Sequence, residues 1–401
     1  MPDTDVDVQF DLYDRDTYLS PYDTFRRLRD EAPLYLNEER GYYVVSRHED
    51  VQRVLGDRTT FISGNGMSYS LISQDFPMPS GMFINEDAPQ HTMHRSIVSR
   101  LFTPRAVASL EPEIRNLCTE IVNGVEGRDS FDFAQDVALH LPVQVIGMLV
   151  GVPRKDQGEL LAIFQKNMHA EVHPDEPKGE VMKSISESSA WFAEYLDWRE
   201  KNPSDDVMTQ LMAFEFDDED GNRRRLRRDE IIIYLTLITA AGSDTTATGM
   251  SWAGSTLGDH PDQRRELVAD PSLISHAVEE VLRYEAPAYH FCRWVAEDVE
   301  IHGRVVPADS IMVVLPPSAN HDERKWDDPE RFDIHRTPGQ IMSFGFGPHF
   351  CLGANLARLE VRLMLETLLP RIPDWTVDHD AALLTTGIDS RGWSSLPVHV
   401  G

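Results

Sequence analysis

The sequence of 401 residues lacks the features that mark secreted or membrane-spanning chains. Its three cysteines, Cys118, Cys292 and Cys351, are too few and odd in number for a disulfide framework, so we expect a reducing, cytoplasmic setting. The N-terminal segment has no basic region followed by an apolar one, as a signal peptide would. The apolar stretch at residues 231–242 is shorter than the roughly 20 residues that a membrane span needs.

Positive charge is also scarce, because 38 Lys and Arg stand against 67 Asp and Glu, for a net charge of −29. A chain this acidic is a poor general partner for nucleic-acid phosphates, so we expect no nucleic-acid binding. Hydrophobic residues make up 41% and charged residues 26% of the chain, which are ordinary globular values. A chain of this length can bury a core that encloses a cofactor.

No internal repeat and no Gly/Ser-rich or Pro-rich linker divides the chain, so we expect a single domain over residues 1–401. The patterning predicts a mainly α fold with small β-sheets (α+β). Helical patterns occupy residues 20–32, 90–126, 142–150, 155–170, 178–201 and 352–369, and strand-like segments occupy 41–46, 299–306 and 311–315. Residues 61–90 look like a long functional loop. The apolar helix at 229–257 is hydrophobic on most faces and is predicted to be central and buried.

The strongest motif is the glycine-rich loop FGFGPHFCLG at residues 344–353, which places Cys351 directly before a helix. A thiolate at a helix N-terminus is stabilised by the helix dipole and by free N–H groups. Glycines let the backbone approach a flat partner closely. A lone cysteine is more often a small buried hydrophobe, but the ten-residue context argues against that here. The segment resembles the F-x-x-G-x-x-x-C-x-G haem-binding loop of the cytochrome P450 superfamily, in its soluble, bacterial, actinobacterial-like form.

By this resemblance, Cys351 is the axial thiolate ligand of haem iron. Phe344 packs near the thiolate, His349 donates a hydrogen bond to a haem propionate, and Gly353 completes the motif. The haem, expected to be haem b, lies between the long central helix and the helix that follows the cysteine.

The second motif is AGSDTT at residues 241–246, inside the long helix. Gly242 costs about 1 kcal/mol of helix stability, and Thr245 can bond back to a carbonyl one turn earlier, so the motif alone favours a kinked structural helix. Beside the cysteine loop it resembles the P450 acid–alcohol pair, with Asp244 relaying protons and Thr245 holding the oxygen unit and a water. Ala241 and Gly242 would leave room for dioxygen.

Glu280 and Arg283 are spaced to share one helix face, where an exposed pair contributes a few tenths of a kcal/mol. They resemble the P450 E-x-x-R motif, in which the pair is buried and joined by an arginine from a P-E-R-F segment. Arg331 stands at that position in residues 329–332. The resemblance gives all three a structural role beneath the haem.

His91 and Arg95 are also spaced to share a helix face. Taken alone they could be an exposed pair or, with His94, a weak metal site, but no further ligand lies at metal-binding spacing. The resemblance assigns His91, Arg95 and Arg293 to the haem propionates, together with His349.

Arg95, Arg100 and Arg105 form a locally basic stretch in an acidic chain, which could steer an acidic electron-transfer partner. Scattered surface arginines explain the pattern nearly as well. The resemblance implies electrons from NAD(P)H through a separate ferredoxin reductase and ferredoxin, because 401 residues include no flavin or iron–sulfur domain. It also implies a monomer.

The resemblance places an apolar, aromatic and Met-rich set of side chains around the substrate pocket. They are Met67, Tyr69, Phe76, Met78, Met82, Phe83, Ala240, Ala241, Tyr289, His290, Phe291 and Ile388. An apolar, fairly large ligand fits such a wall, and His290 could orient it with one hydrogen bond.

We therefore expect a haem-thiolate monooxygenase that inserts one O2-derived oxygen atom into an apolar organic substrate by hydroxylation or epoxidation. A peroxide-using or oxidative-coupling P450 is the alternative that keeps the haem. A non-catalytic haem sensor is another class, and a protein without haem that uses Cys351 as a nucleophile is a fourth.

Overall fold

The structure is a computed structural model that describes residues 8–73, 79–160, 162, 179–218, 220–337 and 339–401, with the backbone alone for 179–188. Its α-helices are Arg15–Leu19, Tyr22–Glu31, His48–Gly56, Tyr69–Ile72, Gln90–Ser99, Pro104–Ala108, Glu111–Val125, His140–Val150, Gly179–Lys201, Val207–Ala213, Arg228–Asp259, Pro261–Ala269, Ile274–Tyr284, Pro316–Asn320 and Ala354–Leu368. Arg228–Asp259 is called the central helix below, and Ala354–Leu368 the Cys-loop helix. Most of the predicted helix at 155–170 lies outside the described residues.

The strands are short and form small sheets. They are β1 (Leu34–Asn37), β2 (Tyr42–Val45), β3 (Phe61–Ile62), β4 (Ser130–Asp132), β5 (Glu215–Asp217), β6 (Arg223–Arg225), β7 (Phe291–Val295), β8 (Val299–Ile301), β9 (Arg304–Val306), β10 (Ile311–Val314), β11 (Trp375–Val377), β12 (Leu383–Leu384), β13 (Trp393–Ser395) and β14 (Pro397–Val400). The predicted fold class, mainly α with small β-sheets, is confirmed.

The largest sheet within the described residues has the strand order β1-β2-β10-β7-β3. The pairing of β10 with β2 is parallel, whereas β10 with β7 is antiparallel and sets Met312 opposite Arg293. This register fixes which side chains of β7 turn towards the site. A second sheet has the order β11-β14-β4.

The helical pattern at 90–126 is divided in the structure. The first helix ends at Ser99, a short 3-10 turn follows, and a new helix begins at Pro104. Thr103 caps it, because its Oγ1 accepts the N–H of Ala106 at 3.3 Å. Proline at the first helical position lacks only an N–H that would have had no helical partner.

The central helix begins with acidic residues, as the helix dipole favours. Glu230 accepts the backbone N–H of Arg227 at 2.7 Å and pairs with Arg224 at 2.8 Å. Farther along, a Cβ at Gly242 would lie 2.5 Å from Cδ1 of Ile146. Gly242 therefore permits close packing of the neighbouring helix, and the expectation that it makes room for dioxygen is corrected.

One segment of the described residues, Phe133–Val150, is apolar and long enough to cross a membrane by length and composition. Within the fold it packs against the central helix, and 67% of it is buried. That degree of burial is typical of a core helix.

A buried acid stands in the Cys-loop helix. Glu360 is 1% exposed, and its Oε2 has no hydrogen-bond partner among the described residues. Burial raises the pKa of Glu360 well above its usual value, because a charge is costly in the protein interior.

We expect Glu360→Gln to remove a pH dependence from the free energy of unfolding. The folded-state pKa lies above the unfolded one, so the neutral carboxyl stabilises the fold fully below the unfolded pKa. This contribution is lost as the pH rises through the folded pKa, at about 1.4 kcal/mol per pKa unit.

Urea unfolding at pH 6 and pH 8.5 would measure this. From pH 6 to pH 8.5 the free energy of unfolding of Glu360→Gln should rise relative to that of the wild type. That of Glu366→Gln, on the same helix, should not. Equal pH dependence of the wild type and Glu360→Gln would contradict the neutral buried acid.

Candidate active site

The loop that carries Cys351 is fixed by close packing. Gly347 has a φ of +72°, and a Cβ there would lie 2.7 Å from the carbonyl oxygen of Leu55. Both the backbone conformation and the close approach therefore require glycine. The N–H of Cys351 donates to the carbonyl of Phe344 at 2.9 Å, which closes the loop just before the Cys-loop helix.

The thiol of Cys351 faces an internal space. The residue is exposed, although burial raises the pKa of its thiol. From the two observations together we infer that the thiol faces a cavity inside the protein. The N–H groups of Gly353 and Ala354 and the charge of Arg95 oppose the rise in pKa, as at other helix N-termini that hold a sulfur.

Phe344 and Gly353 belong to the same loop as Cys351. The guanidinium carbon of Arg358 lies 4.3 Å from the centre of the Phe344 ring, and Arg358 also pairs with Glu279. Gly353 has a φ of −85°, and no protein atom lies within 4 Å of a Cβ built there. Neither backbone strain nor a neighbouring atom requires glycine at this position, and its open side suits the flat face of a macrocycle.

Four basic side chains from separate segments meet near the loop: His91, Arg95, Arg293 and His349. The rings of His91 and His349 lie 4.1 Å apart, and Arg95 donates to the carbonyl of Phe350 at 2.5 Å. Burial lowers the pKa of Arg293 to about 10. Burial and the nearby Arg293 and His91 lower the pKa of His349 to about 2.

No side chain of this basic cluster forms an ion pair in the described part of the chain, although the charges of Glu86 and Asp87 act on His91 from farther away. Arg293 donates to the carbonyl of Cys292 at 2.8 Å, and neither Arg293 nor Arg95 has a carboxylate within 4 Å. The Nε2 atom of His91 is buried without a hydrogen-bond partner. A macrocycle with two carboxylates supplies what these donors lack, so the residues present fit haem with its propionates.

The central helix borders the cavity at its midpoint. Residues 246–257 are all buried, whereas Ala240, Ala241 and Thr245, in the middle of the helix, are exposed. Ala241 and Thr245 stand four residues apart and share one helix face, and Ala240 lies beside it. The hydroxyl of Thr245 donates to the carbonyl of Ala241 at 3.2 Å. Apart from the two ends of the helix, these are its only exposed positions, and a buried helix that is accessible at such a point lines an internal space there.

Asp244 is held by a residue from the C-terminal part of the chain. Its Oδ2 accepts a hydrogen bond from Oγ of Ser390 at 2.8 Å. Burial raises the pKa of Asp244, the Ser390 hydrogen bond opposes this, and the charge of Asp389 raises it further. An acid with a raised pKa keeps its proton closer to neutral pH, as a proton relay requires.

The Glu280–Arg283 pair is buried. Nε of Arg283 lies 2.8 Å from Oε2 of Glu280, with the two side chains 1% and 2% exposed. Arg283 also donates to the carbonyls of Asn320 and Pro329, each at 2.9 Å. The pair therefore ties its helix to the chain that leads into the cysteine loop.

The prediction that Arg331 joins this pair is wrong. The Arg331 side chain is 66% exposed and pairs with Asp333. Arg336 takes the place instead, with its Nε 3.0 Å from Oε1 of Glu280 and its side chain 13% exposed. Arg331 contributes its backbone carbonyl, which accepts from Arg336 at 2.9 Å.

The predicted pocket residues divide into two groups. Met67, Met82 and Phe291 are half-buried and Ala240 is exposed, whereas Phe76 and Met78 lie outside the described residues. A second group is packed in hydrophobic clusters and is at most 8% exposed: Tyr69, Phe83, Tyr289 and Ile388. The Tyr289 ring, for example, lies 5.1 Å from that of Tyr18. For this second group, the expectation of a pocket-lining role is corrected to core packing.

His290 has no ring nitrogen left to orient a ligand. Its Nε2 accepts the N–H of Tyr69 at 3.2 Å, and its Nδ1 lies 3.1 Å from the carbonyl of Ile388. Burial lowers the pKa of His290, which fits a neutral ring with Nδ1 as the donor. The expected hydrogen bond from His290 to a substrate is therefore corrected.

The sequence analysis missed Ser390, Asp389 and Arg336, since no local motif marks them. A separate groove of about 500 Å³ includes Glu113, Gln144 and Arg199 in its lining. None of the residues that line it belongs to the site described above.

Comparisons with known proteins agree with this site. A family model for cytochrome P450 matches residues 23–271 and 268–373. The chain is 36% identical over 400 residues to the putative cytochrome P450 123 of Mycobacterium tuberculosis, covering 99% of this chain and 98% of that one. It is 34% identical over 397 residues to the steroid C26-monooxygenase of Rhodococcus jostii, covering 94% and 82%. The crystal structure of CYP109E1 from Bacillus megaterium in complex with testosterone matches with a TM-score of 0.86 at 28% identity, covering 96% and 99%.

A helix-rich fold that sets a cysteine loop and a basic cluster against the middle of a long helix defines a class of haem-iron oxidoreductases that use dioxygen and a reductant. The family match extends over most of the chain, and similar proteins match it almost end to end. The chain belongs to the cytochrome P450 family, and its activity is that of a monooxygenase.

Proposed function

We propose that the protein is a haem b monooxygenase that inserts one oxygen atom from O2 into an apolar organic substrate by hydroxylation or epoxidation. The observation that supports this is the exposed position of Thr245 in the middle of the central helix, next to Asp244, which accepts a hydrogen bond from Ser390. When bound, haem supplies the activation of O2. Cys351 holds its iron, and the basic cluster of His91, Arg95, Arg293 and His349 holds its propionates.

Asp244 and Thr245 deliver protons in this proposal. Asp244 accepts from Ser390 through one oxygen, which leaves its other oxygen to exchange a proton with water. Thr245 donates to Ala241 in the structure and can turn its hydroxyl towards the cavity on which the residue opens. A positioned acid beside a positioned hydroxyl is an arrangement for general-acid catalysis.

The electrons come from NAD(P)H through a ferredoxin reductase and an acidic ferredoxin. Arg100 and Arg105 are exposed, and in the described residues neither forms an ion pair. Free positive charge in a chain of net charge −29 favours association with an acidic partner. Their neighbour Arg95 belongs to the basic cluster near the cysteine, so a partner docked here lies close to the haem.

Labelled dioxygen tests the reaction. The holoenzyme would be supplied with NADPH, a ferredoxin reductase, a ferredoxin and ¹⁸O2, with testosterone and other apolar compounds chosen by a shift of the Soret band. We expect a product that contains one ¹⁸O atom. Product formation with hydrogen peroxide but not with the electron-transfer chain would favour the peroxide-using alternative, and haem without any turnover would favour a sensor.

Thr245→Ala is expected to keep haem but to lower product formed per NADPH by about tenfold, because protons then reach the oxygen at the wrong moment. The measurement compares NADPH consumed with product released. Thr246→Ala is the matched control. Thr246 is 7% exposed, so this substitution removes a buried hydroxyl next to the exposed Thr245. Unchanged coupling in Thr245→Ala would contradict the proton-delivery role.

A further inference from the structure

Asp389, in the turn between β12 and β13, is accessible but desolvated. Its side chain is 58% exposed, yet burial raises the pKa of its carboxyl. Its Oδ1 lies 3.6 Å from Nε2 of His290, whose side chain is fully buried, so the carboxylate points towards the interior and is still accessible there.

The space that the carboxylate reaches is the cavity beside the central helix. The next residue, Ser390, donates its hydroxyl to Asp244 at 2.8 Å, and the charge of Asp389 itself raises the pKa of Asp244. Asp244 adjoins Thr245, which opens on the cavity. Asp389 therefore lies at the same cavity as the acid–alcohol pair.

The turn that carries Asp389 is held on two sides. The N–H of Tyr289 donates to the carbonyl of Asp389 at 3.0 Å, and the hydroxyl of Tyr18 donates to the carbonyl of Ser390 at 2.8 Å. Ala288 and Ser390 also form a β-bridge. A carboxylate on so constrained a backbone has a fixed position, as a recognition group requires.

Asp389 has no cation beside it within the described residues. The nearest basic group is His290, whose Nε2 lies 3.6 Å from Oδ1 of Asp389. That nitrogen already accepts the N–H of Tyr69, and burial lowers the pKa of His290, so the ring is neutral. A desolvated carboxylate without a counter-charge is unfavourable, and a cation from a ligand relieves this cost.

We propose that Asp389 binds a cationic nitrogen of the substrate, so that the substrate is an apolar molecule with a basic amine or a quaternary ammonium group. This proposal rests on the proposed monooxygenase function, since it names the substrate class of that site. The apolar part of the ligand lies against Ala240 and Ala241, and the cation sets which carbon of the substrate is presented for oxidation.

A pair of ligands with the same shape tests the charge alone. (4-Phenylbutyl)trimethylammonium carries a quaternary nitrogen that cannot coordinate iron, and (5,5-dimethylhexyl)benzene replaces that nitrogen with carbon. Binding to the holoenzyme would be measured by calorimetry and by the shift of the Soret band. We expect Asp389→Asn to weaken binding of the ammonium compound by about tenfold or more and to change binding of the neutral one by less than about twofold.

Two further variants complete the design. Asp389→Glu keeps the charge and should retain the preference for the ammonium compound. Asp380→Asn removes the same charge from an exposed site and should leave both affinities as in the wild type. Equal effects of Asp389→Asn on both ligands, or none on either, would overturn the proposal, as would equal weakening of the ammonium compound by Asp380→Asn. Failure of the monooxygenase function would appear separately, in the labelled-oxygen experiment, because binding requires no turnover.

Discussion

Replacement of Cys351 by alanine is expected to abolish the absorption band at about 450 nm in the reduced, carbon monoxide-treated protein, because this band reports a thiolate bound to haem iron. Monooxygenase turnover should fall by about a thousandfold or more, which corresponds to about 4 kcal/mol of activation free energy. Electron donation from the sulfur favours cleavage of the O–O bond, and the variant loses this donation. The measurements are the difference spectrum and the rate of product formation.

Cys118→Ala is the control for this prediction. Cys118 is 0% exposed, and burial raises the pKa of its thiol to about 12, so it is an inert part of the core. The variant should keep the band and the turnover. A Cys351→Ala protein that retained the thiolate band would show that another residue binds the iron, and the site would have to be reassigned.

Arg336→Met is expected to lower the free energy of unfolding by about 3 kcal/mol and to speed the loss of haem, because it removes one member of a buried charged network. Arg336 donates to Glu280 at 3.0 Å and to the carbonyls of Asp327 and Asp328 at 2.6 and 2.9 Å. The substitution leaves Glu280 buried with fewer donors. Urea unfolding and the decay of Soret absorbance measure the two effects.

Arg331→Met separates this role from the one that the sequence motif suggested. Its side chain is 66% exposed, so the expected loss is at most about 0.5 kcal/mol. If Arg331→Met destabilised the protein more than Arg336→Met, the hydrogen bonds to Glu280 would not be the ones that hold the segment.

The parts of the site that could be predicted from sequence lie within short stretches of chain. The cysteine loop and the long central helix both follow from local patterns, because helix dipoles, glycine conformations and hydrophobic periodicity act between near neighbours. The Glu280–Arg283 contact follows from helical spacing in the same way. Each of these can be recognised without knowing where the rest of the chain runs.

The remaining parts depend on how distant segments meet. Arg331 lies within residues 329–332 and Arg336 follows shortly after them, and only the fold of this stretch decides which guanidinium reaches Glu280. His290 resembles a free polar group in the sequence, but tertiary contacts with Tyr69 and Ile388 use both of its ring nitrogens. Asp389 resembles an ordinary turn aspartate, and its significance depends on the cavity that it faces.

The pairing of β7 with β10 has a consequence for how insertions are tolerated. Side chains alternate between the two faces of a strand, so a shift of one residue would turn Arg293 away and present Trp294 or Cys292 in its place. The register of the sheet thus determines which side chain of β7 reaches the cofactor. A residue added within β7 should cost haem affinity, whereas one added at the exposed turn near Gly303, between β8 and β9, should be absorbed without loss.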